Sequence, residues 1–313
     1  MTDLKGPVIP RQLLTHPTPV EKKILHLKKA KSHENYESMV KKLDKMEATS
    51  GSKNAISQLM KCTYSERRKW MDQPPANTSA RILEKFIHFS SYGGLMISEE
   101  FQRLYPNSIA FDLSDIVSAV LQHSKNSRQK LYEESGCLQY DTLRALQLIY
   151  DVLPTVPVKM SKDRSLTNDE TNNKVWLAKK PCAAIVQIIP ANTDLQGYKN
   201  VLLPTEPPPK SKSKQPTLAP VMIWLSDDHL FGEIYLNIDG HYIHVEADPL
   251  IDPFPKAFDI FFKLYFVFNV HYHPQLKNSF NFFEYVYGLN AKPIPSVRAL
   301  VGSIRQIQVE SKN

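Results

Sequence analysis

Four histidines in the C-terminal half are the residues whose type most directly suggests metal chemistry. His241 and His244 stand three positions apart, and His271 and His273 follow in the next segment. Imidazole is the commonest zinc ligand in proteins. In a β-strand, however, positions three apart point to opposite faces, so His241 and His244 cannot easily share one ion. We therefore predict no metal site and no cofactor.

Aspartates near the ends of predicted strands suggest a second chemistry, because a metal-dependent nuclease places carboxylates there to hold two metal ions. The candidates are Asp227, Asp228, Asp239, Asp248 and Asp252. Aspartate next to glycine or proline is also a common turn residue. Asp239 precedes a glycine, and Asp248 and Asp252 each precede a proline. Turn formation is therefore our first interpretation, and a nuclease is the third functional hypothesis.

Motifs for nucleotide, thiolate or serine chemistry are missing from the sequence. The chain contains 10 glycines in 313 residues, and Gly93-Gly94 is the adjacent pair, without a G-x-G-x-x-G or G-x-x-x-x-G-K pattern. Cys62, Cys137 and Cys182 show no C-x-x-C spacing, so we predict reduced, buried thiols. No G-x-S-x-G element is present. We predict no catalytic residue and a protein that is not an enzyme.

Positive charge is concentrated at the N-terminus. The formal net charge is +7, and residues 1–73 hold 15 Lys and Arg against 8 Asp and Glu, whereas the rest of the chain carries 24 of each sign. This asymmetry is typical of a nucleic-acid-binding arm or of a surface for an acidic partner, although solvated helix faces also carry many lysines. The predicted contact surface comprises Lys22, Lys23, Lys28, Lys29, Lys31, Lys41, Lys42, Arg67, Arg68 and Lys69.

Hydrophobic spacing predicts an all-helical first half. After a proline-punctuated leader over residues 1–19, apolar residues recur at helical spacing across a basic domain that we assign to residues 20–153. Trp70 is predicted to anchor a core there. Residues 154–181 are polar and lack apolar periodicity, so we interpret them as a linker.

The second half, residues 182–309, is predicted to be an α+β domain with an exposed Pro/Lys loop over residues 204–220. The apolar run from Cys182 to Ile189 and the segment from Val221 to Leu225 predict buried strands. Asp239-Gly240 between two alternating runs predicts a tight β-hairpin. Pairing outward from that turn gives Ile238–His241, Leu236–Ile243 and Ile234–Val245 on one face, and Asn237–Tyr242, Tyr235–His244 and Glu233–Glu246 on the other.

Aromatic residues crowd the end of this second half, where 13 of the 31 Phe, Tyr and Trp residues lie between Phe254 and Tyr287. The stretch from Ala257 to Val270 is apolar on nearly every helical side, which predicts a central core helix with an i, i+4 pair between Asp259 and Lys263. We therefore predict an α+β fold: an all-helical N-terminal half and a small antiparallel sheet packed with aromatic-rich helices.

No part of the sequence predicts membrane attachment. The N-terminus MTDLKGPVIP has no apolar signal core, and no window reaches about 18 uncharged apolar residues. We therefore expect an intracellular protein, nuclear or cytoplasmic, without a membrane partner.

Several blocks of the sequence resemble one animal family. ENYESMVKKL, ISQLMKCTYSERRKWM, RILEKF and ISEEFQRL are followed much later by FDIFFKLYFVFNVHYHPQLKNSFNFFEYVYGL. In this order the blocks are similar to uncharacterised animal proteins described as like sterile alpha motif domain-containing protein three. The resemblance covers most of residues 34–307 but includes no convincing sterile alpha motif. It implies an interaction or regulatory role, on a gene of mobile-element ancestry.

The sequence thus favours a non-catalytic protein-interaction or regulatory protein whose basic N-terminal half contacts an acidic protein partner. The alternative is a nucleic-acid-binding protein that uses the same lysines on phosphate.

Overall fold

The computed structural model describes the chain in eight ranges. These are residues 35–73, 78–126, 138–153, 185–196, 219–228, 231–246, 252–272 and 276–311. The predicted leader 1–19, the predicted linker 154–181 and all but the last two residues of the predicted loop 204–220 lie outside them.

Helices make up the first half, as the apolar spacing predicts. Within the described residues, α1 covers 35–44. A 3-10 segment at Ile87–Gly94 lies between the helix that ends at Lys85 and the helix that begins at Leu95. The later helices are α2 (Lys53–Cys62), α3 (Tyr64–Met71), α4 (Ser79–Lys85), α5 (Leu95–Leu104), α6 (Ser114–Asn126) and α7 (Leu138–Val152). Cys62, at the end of α2, is exposed, so our prediction of a buried thiol is wrong at this position.

Among its described residues, the second half contains a sheet of four strands in the order β1-β2-β3-β4, so the α+β prediction is confirmed. The strands are β1 (Val186–Ile189), β2 (Val221–Leu225), β3 (Glu233–Ile238) and β4 (His241–His244). The sheet is mixed rather than purely antiparallel, because β1 pairs with β2 in parallel. Parallel strands must be joined by a crossover connection, usually a helix. The sequence between β1 and β2 shows no helical periodicity, so it did not indicate a parallel pair.

The hairpin between β3 and β4 has the predicted register. Leu236 pairs with Ile243 and Asn237 with Tyr242, and Val245 donates a backbone hydrogen bond of 2.9 Å to Ile234. The turn residues Asp239 and Gly240 both have positive φ, at 51° and 86°. Positive φ at both central positions is the backbone of a type I′ turn, which matches the twist of the two strands.

In the part of the chain that the structure describes after the sheet, the helices are α8 (Pro253–Val267), α9 (Lys277–Val286) and α10 (Pro295–Glu310). Helix α8 is the predicted central helix, and its phenylalanines at 254, 258, 261 and 262 are buried. Lys263 pairs with Asp259 at 2.6 Å, as predicted. No helix within the described ranges combines the length and the apolar character needed to cross a bilayer.

One hydrophobic core joins the two halves. The larger of two clusters of buried residues in the described ranges extends from Leu43 to Ile307 and includes residues of both predicted domains. The Phe101 ring of α5 lies 5.7 Å from that of Phe266 in α8, and the Phe89 ring lies 5.3 Å from that of Phe268. The predicted division at residues 154–181 thus separates mostly helical from mixed secondary structure, while the packing is continuous across it.

Gly232 occupies the tightest position among the described glycines, just before β3. A Cβ atom there would lie 2.0 Å from the Leu225 carbonyl oxygen and 2.5 Å from Trp224 Nε1. Gly232→Ala is therefore expected to lower the free energy of unfolding by about 2 kcal/mol or more, since a backbone atom must shift. Gly302→Ala in α10 is the control, because no atom lies within 4 Å of an added Cβ. This change is expected to raise the free energy of unfolding by about 0.5–1 kcal/mol. Urea denaturation measures both, and equal effects would contradict this packing.

Candidate functional site

A group of exposed lysines lies on the outer side of α1 and at its C-terminal end. Lys41, Lys42 and Lys45 are exposed, whereas Leu43 is buried with 3% of its surface accessible. Lys45 directly follows α1, and at 100° per residue the three lysines fall within one 100° arc. We call Lys41, Lys42 and Lys45 the lysine face. Among the described residues, no ion pair involves any of them.

Acidic residues of α1 act on a different part of the molecule. The carboxylates of Glu37 and Asp44 act electrostatically on Lys85 of α4, whose pKa is lowered by burial and partly restored by these two charges. Lys85 Nζ lies 4.0 Å from the centroid of the Trp70 ring, so this ammonium is held over an aromatic face. Both acids are themselves exposed, so the outer side of α1 carries Glu37 and Asp44 at one edge of the lysine face.

Specific hydrogen bonds fix α1 and the turn that follows it to the rest of the fold. His88, itself buried, places Nε2 at 2.9 Å from the Leu43 carbonyl oxygen. The Tyr92 hydroxyl donates to the Thr49 carbonyl at 2.9 Å and lies 3.1 Å from Ser52 Oγ. The lysine face is therefore presented by a helix that is attached to the core.

The other predicted basic residues do not form one surface with this face. Lys22, Lys23, Lys28, Lys29 and Lys31 lie outside the described residues.

The three basic residues of α3, Arg67, Arg68 and Lys69, differ in their exposure and partners. Lys69 is exposed and pairs with Glu66 at 2.6 Å. Arg68 is partly buried, pairs with Asp72 at 2.8 Å and donates to the Val267 carbonyl.

Arg67 corrects our prediction, because its side chain is fully buried and cannot contact a partner. Its guanidinium pairs with Glu100, which is also buried, and donates to Thr63 Oγ1 at 2.6 Å. The guanidinium carbon lies 5.7 Å and 5.6 Å from the ring centroids of Phe86 and Phe89. Buried charge is tolerated when it is paired and hydrogen-bonded, so Arg67 is a core residue.

The histidines considered for metal binding are dispersed. His244 is exposed and stacks on Tyr235, with ring centroids 4.7 Å apart, while His241 lies at the other end of β4. His271 is exposed, and His273 lies outside the described residues.

The aspartates considered for a nuclease serve turns and helix ends. Asp227 accepts a hydrogen bond from Ala191 N at 2.9 Å, and Asp228 accepts one from Phe231 N at 3.1 Å. Asp239 occupies the hairpin turn.

Asp252 caps α8 by accepting from Phe254 N at 2.9 Å, and Asp248 lies outside the described residues. Within the described ranges, no group of three metal-ligating side chains could hold an ion.

A cleft that the sequence did not predict lies between α5, the start of α6, and α8. Its volume is about 600 Å³, within the range of small-molecule sites. Phe101, Ile109, Phe111 and Val117 contribute apolar walls, and several carboxylates and hydroxyls complete the lining. Ile109 remains 58% exposed at the rim, where its backbone N–H donates to the Tyr287 carbonyl at 2.8 Å.

One carboxylate of the cleft is neutralised within the fold. Asp259 accepts from the Tyr287 hydroxyl at 2.9 Å and from Lys263 Nζ at 2.6 Å. Burial and the Asp259 charge raise the pKa of Tyr287 well above its ordinary value, so this phenol stays protonated and donates. Lys256, also in the lining, donates to the Glu246 carbonyl.

Two other carboxylates in the lining, Asp112 and Asp252, have no basic partner among the described residues. Asp112 accepts from Ser114 N at 2.9 Å, and Asp252 accepts from the Thr142 hydroxyl. Burial raises the pKa of Asp252, its hydrogen bonds oppose that shift, and the nearby Asp112 charge adds to it. By formal charge, the lining holds three carboxylates and two lysines, a net charge of −1.

These residues come from distant segments of the chain. The sequence singled out Asp252, before Pro253, and the Asp259–Lys263 pair, but gave no sign that they share a cleft. Comparison of this chain with protein-family models, with curated proteins and with solved structures gave no match.

Proposed function

We propose that this chain is a non-catalytic interaction protein that contacts an acidic protein partner through the lysine face of α1. The observation that supports the proposal is the exposure of Lys41 and Lys42 on α1 and of Lys45 directly after it, next to a buried Leu43 that fixes the helix to the core. Lysines held on a rigid element lose less conformational freedom on binding than lysines of a flexible arm.

The charge distribution favours an acidic partner. Positive charge in excess is confined to residues 1–73, so long-range attraction is directed toward the N-terminal side of the molecule. The three lysines are point charges without a neighbouring arginine on the described part of α1. Arginine supplies the bidentate contacts that read guanine, so this face has little of the chemistry of sequence-specific DNA recognition.

Titration of the full-length chain with polyanions tests the proposal. A fluorescent polyglutamate peptide is expected to bind at low ionic strength and to weaken as salt rises, because exposed charges are screened. Duplex DNA and RNA of matched charge, measured in parallel by anisotropy, are expected to bind no more tightly than the peptide.

Preferential binding of nucleic acid, with an affinity that falls steeply with salt, would instead support the nucleic-acid alternative. Absence of binding to every polyanion at low salt would contradict both functions. The full chain is required because its two halves share one core.

A further inference from the structure

We propose that the cleft between α5, α6 and α8 binds a small amphipathic amine. The ammonium group would be held at Asp112 and Asp252, and the apolar body would lie against the aromatic wall. This inference is independent of the lysine face and of the proposed interaction function.

The shape of the cleft supports a small organic ligand. A volume of about 600 Å³ exceeds that of a bound water or ion and suits a molecule with a ring or a short aliphatic chain. Phe101, Phe111 and Val117 line it together with the half-exposed Ile109. Such a wall gains free energy when apolar surface of a ligand leaves water.

The charge of the cleft selects a cation over an anion. Lys263 is paired with Asp259 at 2.6 Å, whereas Lys256 donates to the neutral Glu246 carbonyl and keeps its charge. The lining therefore holds three carboxylates against two ammonium groups, which favours a cation over an anion. Asp112 and Asp252 carry no such partner among the described residues. An ammonium group donates in three directions, so it can hydrogen-bond to both carboxylates at once and supplies one positive charge between them.

The polar groups that already bind these carboxylates leave acceptor capacity for a ligand. Asp112 accepts hydrogen bonds at Oδ1 from the backbone N–H and the hydroxyl of Ser114. Asp252 accepts from Phe254 N at Oδ1 and from Thr142 at Oδ2. A carboxylate has about four acceptor sites, so each can accept further donors.

The test uses the full-length chain and phenethylamine as the probe, measured by isothermal titration calorimetry. Phenethyl alcohol, which has the same ring without the charge, and phenylacetate, which has the opposite charge, are the matched ligands. We expect saturable binding of phenethylamine, at least about tenfold tighter than binding of the other two, because a charged hydrogen-bonding partner is lost in each.

Asparagine variants separate charge from structure. Asp112→Asn and Asp252→Asn retain the oxygen that accepts the capping hydrogen bond, so both variants are expected to fold, as circular dichroism would verify. Each is expected to weaken phenethylamine binding about tenfold or more. Asp227→Asn, which changes an equivalent exposed turn aspartate outside the cleft lining, is expected to leave binding unchanged.

The proposal would be overturned by any of three results. These are absence of saturable phenethylamine binding up to millimolar concentration, equal or tighter binding of the alcohol or phenylacetate, and unchanged binding in folded Asp112→Asn and Asp252→Asn variants.

Discussion

Replacement of Glu100 by leucine is expected to lower the free energy of unfolding by about 3–5 kcal/mol. Glu100 and Arg67 are both fully buried, and the variant leaves the Arg67 guanidinium in the core without a carboxylate. Thr63 Oγ1 remains as a neutral acceptor at 2.6 Å and cannot replace the lost charge. Because domains of this kind are stable by about 5–15 kcal/mol, the midpoint of urea denaturation should fall sharply.

The double variant Arg67→Met with Glu100→Leu is the decisive control. It removes both charges, so most of the stability lost in Glu100→Leu should return. Glu66→Gln disrupts the exposed pair with Lys69 and is expected to cost about 1 kcal/mol or less. If Glu100→Leu were as mild as Glu66→Gln, the buried pair described here would be contradicted.

A chain ending at residue 153 is expected to lack a cooperative unfolding transition. Helix α5 packs against α8, which such a chain lacks, and the rings of Phe89 and Phe101 would lose their contacts with Phe268 and Phe266. Exposed aromatic surface should bind the dye ANS, and near-ultraviolet circular dichroism should be weak while helical signal persists.

Co-expression of residues 1–153 with residues 154–313 provides the matched control. The two pieces contain the complete core, so they should associate and regain a sharp thermal transition. A cooperative transition of the isolated 1–153 piece, with a denaturant slope appropriate to its size, would show that the first half is an independent domain.

The features that sequence predicted well depend on local chemistry. The Asp239-Gly240 turn defined the hairpin register, since only residues that tolerate positive φ fit a type I′ turn. Helix α8 was recognisable because its apolar residues surround the helix, although it begins at Pro253 rather than at the predicted Ala257 and ends at Val267 rather than at Val270.

The features that sequence missed depend on contacts between distant segments. Arg67 looked like one residue of a basic run, although the spacing of the buried residues Met60, Thr63, Arg67 and Met71 places it on the inward side. The cleft combines residues from 101–117 with Thr142, 252–263 and Tyr287, and no local pattern brings these together. The continuous core was missed because residues 154–181 are polar in composition, which suggested a domain boundary, whereas the buried residues on either side of them belong to one cluster.

The lysine face is tested most directly by the triple variant Lys41→Gln, Lys42→Gln and Lys45→Gln in the full-length chain. These side chains are exposed, so the variant should unfold at the same urea concentration as the parent. With about 0.5 kcal/mol for each exposed charge, polyglutamate binding at low salt should weaken about tenfold. Unchanged polyglutamate affinity in the folded variant would contradict the proposed role of this face.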